Sequence, residues 1–158
     1  MEMIIDFPGG ARVDAHFGGF TIATDQPPQL GGEASAPTPF ATFLAALGTC
    51  AGIYVLGFCR RRGLDTAGLR LVQRVAIDPE SKLARRVELA IELPAGFPEQ
   101  YRAAVVRAAE QCLVKKQLEL PPEVAVTTIS QAPDLLVGLP RRLEDTKACR
   151  RENLGASV

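Results

Sequence analysis

The chain has 158 residues, with 18 Lys+Arg against 18 Asp+Glu and therefore no net charge at neutral pH. That length is typical of one domain with a sizeable core, and the charge balance lacks the basic stripe that a nucleic-acid or anionic-membrane partner demands. One histidine, His16, and cysteines at 50, 59, 112 and 149 without a CxxC pair argue against zinc, and no metal or cofactor is expected.

The start, MEMIIDFPGG, has an acid at position 2 and reaches Pro8 and Gly9 before any long apolar run, unlike a secretory signal. The expected compartment is the reducing cytoplasm, so the cysteines are not read as a structural disulfide framework. MIIDF, ARVDAHF and FTIATD are β-favouring pieces separated by Gly-Gly turns at 9–10 and 18–19. The loop QPPQLGGEASAPTP follows, and Thr38 is placed to cap a helix with Pro39 at its first position. From Phe40 to Cys59 no residue is charged; Arg60–Arg62 then sit at the negative end of the helix dipole and Gly63 suits the C′ position. The length would fit a membrane span, but the many Ala and Gly residues lower its transfer energy. A helix wrapped by protein is the expectation, with no membrane partner.

LRLVQRVAID and KLARRVELAIEL flank a turn at Asp78–Ser81, and Val87, Leu89, Ile91 and Leu93 alternate with Glu88 and Glu92, which predicts a half-buried antiparallel hairpin. PEQYRAAVVRAAEQCLVKKQL is read as a second helix over 98–118 and EVAVTTIS as a last strand over 123–130. The polar, charged segment 131–158 is expected to carry a short surface helix near 141–152. The order β-β-β-α-β-β-α-β places the chain in the α+β class. One small sheet and one other helix cannot cover a helix that is apolar on every face, so an obligate, intertwined homodimer is expected.

On the first helix Phe43, Leu47, Cys50 and Tyr54 share a face, and on the second Tyr101, Val105, Ala108 and Cys112 do the same. If the two stripes pack together, Cys50 and Cys112 approach each other. Spacing alone favours inert core cysteines, since free cysteine behaves as a small buried hydrophobe. A reactive Cys50 would need a cation from elsewhere, because apolar burial raises a thiol pKa; Arg12 in the N-terminal hairpin is the candidate. Cys59 lies with Gly48, Gly52 and Val55 and reads as filler; Cys149, among Arg150 and Arg151, reads as exposed.

LGG…APTPFATFLAALGTC, the RRGL that closes the helix, and AAEQCLVKKQLELPPEV together resemble the OsmC/Ohr family of osmotically induced and organic-hydroperoxide-resistance proteins, over residues 1–130. The resemblance implies an OsmC-like dimeric fold with sites at the subunit interface, and leaves 131–158 as a charged extension. It also implies that Cys50 attacks an organic hydroperoxide, that Cys112 resolves the sulfenic acid as a disulfide, that Arg12 stabilises the thiolate, and that an external dithiol resets the pair. Phe40, Phe43, Leu47 and Tyr54 would wall an apolar substrate pocket. The peroxidase members carry a glutamate directly after the helix-opening proline, to hold the arginine; here Phe40 follows Pro39, and only Glu33 or Asp14 could substitute. The chain thus resembles an outlying OsmC-type member, which implies a peroxidase activity that is weak, altered in substrate or absent. The alternative is a non-catalytic protein that binds an apolar small molecule at the dimer interface.

Overall fold

The computed structural model describes residues 1–129. The segment 131–158, with its expected surface helix and Cys149, lies outside the described residues. Among the described residues, the regular elements fall within the compact unit Met1–Pro122.

Strands β1 (Ile4–Gly9), β2 (Arg12–Phe17) and β3 (Phe20–Thr24) form an antiparallel meander. Gly18 and Gly19 both take positive φ, 54° and 80°, the two-residue turn geometry that matches the strand twist. Registers Ile5↔Ala15↔Ile22 and Phe17↔Phe20 gather an apolar set on one face. The pairings Asp6↔Asp14 and His16↔Thr21 place Arg12, Asp14 and His16 on the other. Much of the apolar set is open in the single chain: Phe7 is 78% and Phe20 69% exposed.

The loop after β3 is organised by Asp25, which is only 2% exposed. Its carboxylate accepts the Ser35 N–H at 2.9 Å, the Ser35 hydroxyl at 2.8 Å, the Gln26 N–H at 2.7 Å and the Glu33 N–H at 3.2 Å. Led by the two bonds from Ser35, these donors hold its pKa down at about 2, against the opposing effect of burial. Gly32 is required in this knot, because a Cβ there would lie 1.9 Å from the Gln26 carbonyl oxygen. The loop delivers the chain to Thr38, whose hydroxyl caps the next helix by accepting the Ala41 N–H at 3.2 Å, with Pro39 at the first position.

Helix α1 spans Pro39–Arg61 and is the one helix among the described residues long and apolar enough to cross a membrane. Leu47, Ala51, Val55, Phe58 and Cys59 are buried along one side of it. That stripe packs on the hairpin of β4 (Arg70–Ile77) and β5 (Ala84–Glu92) through Leu71, Val87, Leu89 and Ile91, and on helix α2 (Arg102–Ala109) through Val105. Val55 and Val105 are fully buried; each contributes about 1.5–3 kcal/mol relative to an exposed position. Cys59 lies in the same cluster, and burial pushes its thiol up, with Arg62 opposing. At the end of α1 the Arg62 guanidinium sits 4.0 Å over the Phe58 ring and 5.8 Å from that of Tyr101, tying α1 to the start of α2. The β4–β5 turn is built on Asp78, which accepts N–H bonds from Glu80 at 3.0 Å and Ser81 at 2.8 Å.

Two expectations need correction. The helix read over 98–118 is broken: a 3₁₀ turn at Glu99–Tyr101 leads into α2, and a new helix, α3, runs over Leu113–Glu119. No Gly or Pro marks the break. Cys112 makes it by adopting φ −49° and ψ 122°, which turns its side chain down onto Leu47 and Ala51. The strand expected over 123–130 is also absent from 123–129, which carry no regular structure, while residue 130 is outside the described residues. A strand exists only against a hydrogen-bonded neighbour, and alternation in the sequence does not supply one.

Candidate functional site

The kink at Cys112 assembles a small sulfur site between α1 and the start of α3. Cys50 lies on α1, one turn after Leu47, and is half-buried; Cys112 is 1% exposed. Both are free thiols. Leu47, Ala51 and Cys112 form one buried cluster, with Cys50, Ala109 and Val114 packed against it. The Cys112 thiol donates to the Leu47 carbonyl at 3.7 Å, and its sulfur accepts the Lys115 N–H at 3.4 Å as the N-cap of α3.

The two sulfurs have opposite acidity. Burial pushes the Cys50 thiol up, but the Val114 N–H, the Cys112 side chain and the Leu113 N–H together outweigh it and leave the pKa below the ordinary thiol value. For Cys112 burial again pushes up; the Lys115 N–H offsets part of this, and the neighbouring Cys50 sulfur pushes further up. The surroundings therefore favour the anion at Cys50 more than at Cys112. The donors that favour the Cys50 anion are backbone groups at the start of α3, where N–H groups lack helical partners. Sequence periodicity missed them, because the helix had to break before those groups were free.

Arg12 is elsewhere in the single chain. Its Nη2 is 2.5 Å from Asp14 Oδ2 on the same strand, and Asp14 is buried. Among the described residues no arginine figures in the groups that set the Cys50 acidity. Arg12 Nε and Asp14 Oδ1 are buried and without partners among the described residues. Asp14, not Glu33, is thus the carboxylate on Arg12; Glu33 is exposed and contributes its N–H to Asp25.

Of the four residues expected to wall a pocket, Leu47 is the buried one, and it lines a largely apolar groove of about 520 Å³ between β5, α2 and α3. Val87, Leu89, Ile91 and Val105 line it as well, with Arg102, Glu110 and Lys115 as its charged members. Phe40 and Phe43 stack at the start of α1, 5.9 Å between centroids, and both stay about two-fifths exposed. Tyr54 is half-buried one turn beyond Cys50. These three are not part of the groove wall.

Among solved structures, the chain is similar to a protein of Psychrobacter arcticus 273-4 provisionally assigned to osmotic-stress induction and the detoxification response. The identity is 20%, the TM-score 0.64, and the match covers 73% of this chain and 85% of that one. A structural-genomics structure matches at 20% identity and TM-score 0.53 over 77% of this chain and 91% of its own. A Legionella pneumophila structure matches at 21% identity and TM-score 0.47 over 75% and 89%; it is described as an organic hydroperoxide resistance protein OsmC, predicted redox protein, regulator of sulfide bond formation. No curated protein sequence matches the chain. The family of OsmC-like proteins matches residues 32–127, which span α1, the β4–β5 hairpin and both sulfur-bearing segments. The chain belongs to the OsmC-like protein family.

Proposed function

We infer that the protein reduces organic hydroperoxides with Cys50 as the attacking thiolate and Cys112 as the resolving thiol. One observation carries this reading: the two free thiols lie in one cluster, Cys50 half-buried and Cys112 1% exposed, with surroundings that favour the anion at Cys50. A nucleophile must be ionised, and a resolving thiol does best to stay protonated until a sulfenic acid forms beside it.

In the first step the Cys50 thiolate attacks one oxygen of the O–O bond. A sulfur–oxygen bond forms, the O–O bond breaks, and the alkoxide leaves as alcohol once it takes a proton, with Cys50 now a sulfenic acid. In the second step the Cys112 sulfur attacks the Cys50 sulfur, the S–O bond breaks, and hydroxide leaves with the Cys112 proton as water. The two electrons that reduce the peroxide come from the two thiols. An external dithiol then returns both cysteines to thiols and becomes a disulfide itself. The half-exposed Cys50 admits the peroxide, and the nearby apolar residues favour alkyl over hydrogen peroxide.

A second copy of the chain belongs to this proposal. The apolar face of the β1–β3 sheet and the outer faces of α1, where Ile53 is 61% exposed, leave more apolar surface open than a monomer usually shows. An intertwined homodimer would cover both. It is also the route by which Arg12, with its unpaired buried Nε, could reach a Cys50. With it go residues 1–130 as the OsmC-like domain, 131–158 as a charged extension, and a reducing cytoplasmic setting. The test is turnover of cumene hydroperoxide with a dithiol reductant. Wild type is expected to consume the peroxide and Cys50→Ser to lose that activity; equal rates would refute the assignment.

A second reading rests on the groove. Its largely apolar wall and its volume of about 520 Å³ suit an apolar small molecule, and the phenylalanine at position 40 leaves Arg12 with Asp14 alone. Native mass spectrometry that finds a retained ligand on a protein inert to peroxide would favour this non-catalytic binding role.

A further inference from the structure

Helix α3 begins on sulfur. The first N–H groups of any helix lack intrahelical partners; here the Lys115 N–H is capped by the Cys112 sulfur at 3.4 Å. The helix has little else to hold it. It is seven residues long, has no acidic residue in its first turn and contains no buried residue; Val114 packs half-buried against the sulfur cluster. Its Lys115 and Leu118 form part of the wall of the apolar groove.

We propose that oxidation of the Cys50–Cys112 pair releases helix α3, so that the disulfide itself opens the way to the buried Cys112 sulfur for the dithiol that reduces it. The inference rests on the peroxidase reading above. As the disulfide forms, Cys112 loses the proton it donates to Leu47 and must turn its sulfur toward Cys50, away from Lys115. The Lys115 N–H is left to find water, and the first turn of α3 comes loose.

The chemistry of the return step needs such a release. The better leaving group in thiol–disulfide exchange is the more acidic thiol, which is Cys50, so the dithiol attacks the Cys112 sulfur. A new S–S bond forms between reductant and Cys112, the Cys50–Cys112 bond breaks, and Cys50 departs as thiolate. The second thiol of the reductant then displaces Cys112 and closes the reductant's own disulfide. In the reduced protein Cys112 is 1% exposed and out of reach. With α3 loose it is accessible only in the state that needs reducing.

Hydrogen-exchange mass spectrometry on the full chain tests this, before and after one equivalent of cumene hydroperoxide, with the disulfide checked by non-reducing peptide mapping. Oxidation should speed exchange over 113–119 about tenfold and leave α1 unchanged. Cys112→Ala, which removes the cap, should show fast exchange over 113–119 without oxidant. Cys112→Ser, whose hydroxyl can cap but cannot bridge, should show slow exchange with or without it. A disulfide that forms without faster exchange overturns the release and spares the peroxidase reading. Absence of any Cys50–Cys112 disulfide overturns both. A Cys112→Ala protein as protected as wild type, or a Cys112→Ser protein that loosens with peroxide, also overturns the release.

Discussion

Replacing Leu113 with proline isolates what the backbone contributes to the acidity of Cys50. Proline lacks an N–H and so deletes one of the donors facing the sulfur, at a site where little else changes. Leu113 is the first residue of α3, where proline is well tolerated. The preceding Cys112 already has φ −49° and ψ 122°, in the extended region that a residue before proline prefers. The leucine side chain is 65% exposed, so its loss removes little packing. A hydrogen bond to a charged group is worth about 1.5–3 kcal/mol, and one pKa unit corresponds to about 1.4 kcal/mol. Cys50 is half-buried and the Val114 donor remains, so the low end applies, and the thiol should rise by about one unit. The assay is the pH dependence of iodoacetamide alkylation at Cys50, read by peptide mass spectrometry, with Leu113→Ala as the control that keeps the N–H. Wild type and Leu113→Ala should react at lower pH than an ordinary thiol, and Leu113→Pro about one unit higher than they do. A folded Leu113→Pro protein that titrates with wild type would show that the start of α3 does not set the acidity.

Two further outcomes follow from the fold. Asp25 has a pKa depressed from 3.8 to about 2 in the folded chain. Its contribution to stability is therefore complete above about pH 4 and falls away between pH 4 and 2; Asp25→Asn should flatten that part of the urea-midpoint profile. Val105→Ala removes a fully buried side chain where α2 meets α1 and should cost about 2 kcal/mol in chemical denaturation; a loss below about 0.5 kcal/mol would mean the α1–α2 contact is not part of the stable core.

Much of the frame was legible because local chemistry marks it. The glycine pairs at 9–10 and 18–19 need φ values that other residues avoid, and the Thr38–Pro39 pair and Gly63 bracket α1 from either side. Asp78 announces its own turn through bonds to the next few N–H groups. What stayed hidden depends on residues distant in sequence. Tyr101, Val105, Ala108 and Cys112 keep helical spacing through a break held by Cys112 reaching Leu47, 65 positions away. Asp25 looks like an ordinary loop acid until Ser35, Gln26 and Glu33 close around it. The Arg12–Asp14 pair was only one of two options in the sequence, since an i, i+2 relation on a strand shows that two residues share a face and not that they bond. The approach of Cys50 and Cys112 was readable as a possibility from two stripes, but their division into a more and a less acidic thiol required the start of α3 in place.

The most direct check on the account is chemical trapping of the oxidised sulfur. Cys112→Ser protein treated with one equivalent of cumene hydroperoxide and dimedone should carry one dimedone adduct per chain, on Cys50, because the sulfenic acid forms there and has no thiol beside it to resolve it. Adduct on Cys59, or a Cys50 that stays a free thiol while peroxide remains in solution, would contradict the assignment of Cys50 as the reacting sulfur.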